Sequence, residues 1–135
     1  MIHIPVEFTV THALPVNPAS HAHTYRLTLS LAGPIDPETG FIVDMNMVRK
    51  LVQPMIDKLQ GTQLNDHPLL KDATPQGALA AKFPTCETLA RFFVEKLRIP
   101  LNALRPSVTL KCVEVRLVGE QEVAKLEWGY ATIEL

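Results

Sequence analysis

Two stretches near the start of the chain alternate between apolar and polar positions. Over residues 2–12 the even positions Ile4, Val6, Phe8 and Val10 form one apolar face, because side chains in a strand return to the same face every second residue. Over residues 21–32, His23, Tyr25, Leu27, Leu29 and Leu31 share a face opposite Thr24, Arg26, Thr28 and Ser30. Both runs predict strands with one face on a core and the other polar. Between them, residues 13–20 carry Pro15 and Pro18 and predict a loop, and residues 33–40, rich in Gly, Pro and Asp, predict the turn that ends the hairpin.

The period then changes. Val48, Leu51, Val52, Met55 and Leu59 follow helical spacing, with Asp44 or Asn46 able to cap the start and Gly61 to stop the end. Pro54 lies inside this pattern, so a kink or break is expected between Lys50 and Pro54. Residues 63–83, punctuated by Pro68, Pro75 and Gly77, predict an irregular segment that is long for a loop. A second helix is expected to start at Thr85, with Glu87 in its first turn, and to run through Leu89, Phe93 and Leu97 until Pro100 forces the exit. Residues 107–118 and 123–135 predict two further strands around the polar segment 119–122. The order β-β-α-α-β-β implies an α+β fold: a four-stranded antiparallel sheet with two helices on one face. Such a sheet has two open edges and a polar face, and several copies joining their sheets into a barrel would satisfy both.

Composition narrows the class. The chain of 135 residues has the length of one domain, and 47% hydrophobic and 20% charged residues fit an ordinary globular protein. The net charge of −1, with basic residues scattered, leaves no electrostatic footprint for nucleic acid. No apolar run reaches the roughly 18 residues of a membrane span, and residues 1–10 lack the pattern of a secretory signal, so a cytoplasmic location is expected. Cys86 and Cys112 are read as reduced thiols.

Candidate chemistry lies in the histidines. His21 and His23 alternate at a strand start, so both imidazoles project from one face. If the two runs pair as a hairpin, His12 faces them and supplies a third ligand. Three histidines and an open fourth position form the catalytic rather than the structural zinc arrangement. His3 has no evident partner and is expected at the surface. Glu114, on a strand with Leu110 and Cys112 as its same-face neighbours, is expected as a carboxylate on a buried face that needs a partner.

With these residues in order, the sequence resembles the 6-pyruvoyltetrahydropterin synthase and 6-carboxytetrahydropterin synthase family, which adopts the T-fold. Phe8 and His12 match its first zinc-ligand motif, and His21-Ala22-His23 its His-Gly-His with alanine for glycine. Residues 39–44 are similar to its entry into the first helix, Asp66-His67 to its Asp-His pair, residues 84–90 to its Pro-Thr-x-Glu-Asn-x-Ala helix start, and Glu114 to the glutamate closing its third strand. The resemblance implies zinc held by His12, His21 and His23, in sites between subunits of a homohexamer built as a dimer of trimers. It also implies a pterin substrate, 7,8-dihydroneopterin triphosphate, anchored on Glu114 with Thr85 and Glu87 beside it. Queuosine, folate and biopterin metabolism all remain open.

One position departs from the pattern. The family places a catalytic cysteine four residues before the first histidine of His-x-His, and here that position is Asn17, whose amide can orient a substrate but cannot take a proton. Cys86, at a helix mouth expected to lower its pKa, is the nearest thiol in sequence. The main expectation is a zinc-dependent lyase with His67 as general base, oriented by Asp66. The alternatives are an aldolase-like cleavage of the dihydroneopterin side chain, which needs only one base, or a non-catalytic zinc- and pterin-binding protein.

Overall fold

A computed structural model describes residues 1–71, 74–120 and 122–127. Among these, β1 (Ile2–Leu14) and β2 (Asn17–Ala32) form the long hairpin that the alternation predicts. Then come α1 (Met45–Leu59), α2 (Pro68–Lys71), α3 (Pro75–Lys82) and α4 (Cys86–Asn102), followed by β3 (Thr109–Leu117) and β4 (Val123–Glu127). The strands form one antiparallel sheet in the order β1-β2-β3-β4. The part of the fourth strand expected beyond Glu127 lies outside the described residues. No helix among the described residues is long and apolar enough to cross a membrane.

The predicted core face is the real one. Ile4, Phe8, Val10, Tyr25, Leu27, Leu29 and Leu31 are buried together with Val48, Val52 and Ile56 of α1 and Leu89, Phe93 and Leu97 of α4. Phe8 stacks on Tyr25 at 5.6 Å and meets Phe93 edge-on at 6.0 Å, which ties the hairpin to α4 near the histidine end of the sheet. Aromatic pairs of this kind contribute about 0.5–1.5 kcal/mol beyond the area they bury.

Four local expectations are corrected. The loop over residues 13–20 shrinks to a two-residue turn, Pro15 and Val16, because both strands run further than the alternation suggests. Helix α1 runs unbroken through Pro54, for the buried residues Val48, Val52, Ile56 and Leu59 hold both halves against the sheet. The carbonyl that Pro54 leaves without a helical donor belongs to Lys50, an exposed residue on the side of the helix away from the core. Likewise α4 passes Pro100 and ends at Asn102, since buried Leu101 anchors the last turn and Asn102 Oδ1 accepts from Leu110 N–H at 2.8 Å. The segment 63–83 contains α2 and α3. Thr74 caps α3 by accepting from Gly77 N–H, and Pro75 occupies the first turn, where its missing donor costs nothing.

Helices α2 and α3 touch through Gly77. A Cβ at this position would lie 2.2 Å from the Leu70 carbonyl oxygen and 3.3 Å from the Phe92 ring. Backbone, not a flexible side chain, blocks the space. Gly77→Ala is therefore expected to cost about 1–3 kcal/mol through overpacking, measured by urea unfolding against wild type. Unchanged stability would mean that α2 can move aside freely.

Candidate metal centre

The metal-ligating candidates depend on the register of the hairpin. His12 stands opposite His21, and Val10 opposite His23, so the three imidazoles converge on the core face at the turn end of β1 and β2. Between the His12–His21 and Leu14–Asn17 pairs, β1 contributes Ala13 alone while β2 contributes residues 18–20. This bulge turns the Ala19 carbonyl toward the His21 ring, where it accepts from Nδ1 at 2.8 Å.

His12 is fixed from the other side of the fold. It is 2% exposed, and its Nδ1 lies 3.0 Å from the Pro84 carbonyl and 2.8 Å from the Tyr25 hydroxyl. Tyr25 donates its own proton to the same carbonyl at 2.9 Å, so the His12 Nδ1 is the protonated nitrogen of the ring and donates toward both oxygens. The acceptors at His12 and His21 therefore leave both Nε2 atoms bare, and these face each other at 3.0 Å. Two lone pairs so placed repel unless a cation or a proton lies between them.

The donor set fits a metal ion. One ring nitrogen from each of His12, His21 and His23 lies within 4.8 Å of the others, whereas nitrogens about 2.0–2.1 Å from a tetrahedral zinc are spaced by about 3.3 Å. Closing the widest separation and opening the 3.0 Å His12–His21 pair slightly would bring the three nitrogens to that spacing. The hydrogen bonds that His12 donates toward Pro84 and Tyr25, and His21 toward Ala19, orient the rings as outer-sphere partners do in metal sites. Tyr25 and Pro84 were not expected in this role: the first reads as core from its alternation, and the second contributes only its carbonyl.

Burial lowers the pKa of His12 below the ordinary histidine range; the Pro84 hydrogen bond opposes this, and His21 and His23 reinforce it. Burial likewise holds the Tyr25 hydroxyl well above the usual tyrosine range, with Cys86, Glu122 and Glu87 adding to the effect. Cys86 corrects the expectation of a lowered pKa. Its thiol is buried, and desolvation, with Glu122 and Glu87 nearby, pushes it up to about 12. A thiol so placed is held in its protonated form at neutral pH.

The other candidates are distributed more widely. Thr85 caps α4, its hydroxyl accepting from Thr88 N–H, and Glu87 is exposed in the first turn; both follow directly on Pro84, beside the histidines. Asn17 is exposed at the start of β2. Asp66 is exposed and has a left-handed backbone, with φ of 57°. His67 opens α2, where its Nδ1 accepts from Leu69 N–H at 3.1 Å and its Nε2 donates to the Lys58 carbonyl at 3.2 Å. Asp66 and His67 make no side-chain hydrogen bond to each other among the described residues.

Glu114 is not on the buried face. An extra residue, Lys111, shifts the β2–β3 register between Ser30 and Leu31, so Leu110 turns to the core while Cys112 and Glu114 face away from the helices. Glu114 stands between Thr28 and Lys125 and pairs with Arg116 at 3.3 Å. Within one chain the histidines and Glu114 thus occupy opposite faces of the sheet. His3, expected without a partner, bonds through Nδ1 to the buried Ser30 hydroxyl at 2.6 Å on that same polar face.

Fold and site together define an α+β protein whose first hairpin brings three histidines together beside a helix start. The sequence profile of the family described as 6-pyruvoyl tetrahydropterin synthase matches residues 2–127, and the chain belongs to that family. A 6-carboxy-5,6,7,8-tetrahydropterin synthase of Bacillus subtilis (strain 168) is 30% identical over 95 residues, which span 70% of this chain and 58% of the relative. In fold, the chain is similar to 6-pyruvoyl tetrahydropterin synthase of Caenorhabditis elegans, with a TM-score of 0.72 and 18% identity over 95% of this chain and 94% of the other. It is also similar to a Plasmodium vivax 6-pyruvoyltetrahydropterin synthase in which a catalytic glutamate is replaced by cysteine, with a TM-score of 0.59 and 16% identity over 93% and 96% of the two chains.

The lowered pKa of His12 has a measurable consequence. On acidification the unfolded chain, with an ordinary value of about 6.5, binds the proton before the folded chain does. The stability due to neutral His12 is full above that value and lost as pH falls from it toward the depressed folded value. Thermal melts of metal-free protein between about pH 8 and about pH 5 should show this decline, and His12→Phe should flatten it. An equal decline in both proteins would assign it to other groups.

Proposed function

We propose that the protein is a zinc-dependent lyase acting on 7,8-dihydroneopterin triphosphate or a related dihydropterin, in the manner of the 6-carboxytetrahydropterin synthase it resembles. The observation carrying this function is the convergence of His12, His21 and His23 with two bare Nε2 atoms 3.0 Å apart. The three histidines would hold the ion and leave a fourth position to substrate oxygen. Zinc, when bound, supplies a Lewis acid that makes the neighbouring hydroxyl and carbon protons of the substrate side chain more acidic.

The chain's own groups divide the remaining work. Glu114 accepts the paired N–H groups of the pterin's 2-aminopyrimidinone edge, as a carboxylate does with arginine, and exchanges its contact with Arg116 to do so. Thr85 and Glu87 flank the histidines from the start of α4, and Asn17 orients the side chain by hydrogen bonding. His67, next to Asp66, acts as general base once Nδ1 releases Leu69 N–H. Because Glu114 and the histidines lie on opposite faces of one sheet, a complete site draws Glu114 from a neighbouring subunit, which supports a homohexamer with sites at its interfaces. The backbone of β1 at residues 3–7 has no outward partner among the described residues and offers an edge for such assembly.

Asn17 and the protonated Cys86 favour a second function over full triphosphate elimination. In retro-aldol cleavage of the dihydroneopterin side chain a base takes one hydroxyl proton, the adjacent C–C bond breaks to release an aldehyde, and the same group returns the proton to the pterin-side carbon, so a single base suffices. The family accommodates different catalytic groups, as the glutamate of the Plasmodium vivax enzyme illustrates.

Zinc-loaded protein incubated with dihydroneopterin and with its triphosphate, with products followed by chromatography, separates these outcomes. A 6-carboxy product supports the synthase, loss of the side chain supports the aldolase-like reaction, and binding without turnover supports a non-catalytic protein. His21→Ala should weaken zinc binding by more than the roughly 10–100-fold that loss of an outer-sphere partner costs, and should abolish any turnover. Retention of zinc and activity by this variant would refute the assignment of the centre.

A further inference from the structure

Resting on that metal centre, we propose that Asn65 is a positioning residue for it, holding the bulge that aims His12. The free edge of β1 is covered over its metal-bearing half by residues 60–65. Thr9 N–H donates to Gln60 Oε1, and its carbonyl accepts from Gly61 N–H. Thr11 donates to the Thr62 carbonyl and accepts from Leu64 N–H. At Ala13 no backbone is available, and the Asn65 side chain takes its place: Oδ1 accepts from Ala13 N–H at 2.8 Å and Nδ2 donates to the Ala13 carbonyl at 2.9 Å.

The position of these two bonds makes them more than edge covering. Ala13 is the single β1 residue facing three residues of β2 in the bulge, so the ladder to β2 constrains it least. It directly follows His12, and the opposing residues include Ala19, whose carbonyl orients His21. One side chain therefore clamps the point from which two of the three ligands are aimed. The chain bends sharply to present it. Asp66 holds the left-handed backbone, the one non-glycine residue to do so among those described, and its N–H is tied to the Ala81 carbonyl at 3.1 Å. Such conformations persist where the surroundings over-determine them.

The test uses metal-free full-length protein titrated with Co²⁺, read by visible absorption, and with Zn²⁺ against a chelating indicator. Asn65→Ala should weaken both metals by roughly 10–100-fold, as loss of an outer-sphere partner does, and should alter the cobalt band because ligand geometry changes. Gln60→Ala removes a like bond from the same edge at Thr9, so it should lower the melting temperature of the metal-free protein similarly while leaving metal affinity and spectrum unchanged. Asn65→Asp keeps an acceptor for Ala13 N–H but loses the donor to its carbonyl; it should fall between Asn65→Ala and wild type, and it decides the matter if Asn65→Ala does not fold. Wild-type affinity and spectrum in the Asn65 variants, or equal weakening by Gln60→Ala, would overturn the proposal. If wild type itself takes up no cobalt, or His21→Ala binds as well as wild type, the metal centre fails and the proposal with it.

Discussion

The bond from His12 to the Pro84 carbonyl joins residues 72 positions apart in the chain, and the histidine end of the molecule depends on it. It seals a buried imidazole whose other nitrogen must stay free, and it docks the start of α4 on the first hairpin. Tyr25 completes a closed triangle by donating to the same carbonyl while its ring stacks on Phe8. Core packing and ligand orientation share the same atoms here. A change that loosens Phe8 or Phe93 would reach the histidines without touching them.

Much of this was legible because strands and helices carry their periods openly. The alternation of Val10, His12, His21, His23 and Tyr25 put the three histidines on one face, and the observed pairing brings them together. Thr85 was visible as a cap because hydroxyl residues before an apolar helical run are caps for a physical reason. Thr74 before Pro75 carried the same signal, but surrounding turn residues masked it. The two bulges left no such mark: none of Pro18, Ala19, Ser20 and Lys111 is the glycine that often accompanies one. Missing the second put Glu114 on the wrong face. The carbonyls of Ala19 and Pro84 are main-chain atoms, which residue identity does not announce.

The two faces of the sheet have separate duties. One carries the aromatic core and the histidines. The other carries His3 on Ser30, Glu7 near Arg26 and Glu114 with Arg116, a wet surface held by hydrogen bonds and weak ion pairs. Exposed pairs of this kind add little to stability, so they can be exchanged for ligand or neighbour at small cost. The core face has no such freedom, since its His12 ring is buried and held by Pro84 and Tyr25.

Both backbone acceptors that set the histidine tautomers have a bearing on how this fold tolerates sequence drift. A main-chain carbonyl comes with any residue, so replacing Ala19 or Pro84 leaves the acceptor in place as long as the backbone path survives. Ring orientation is thus written into the trace of the chain rather than into the side chains at positions 19 and 84.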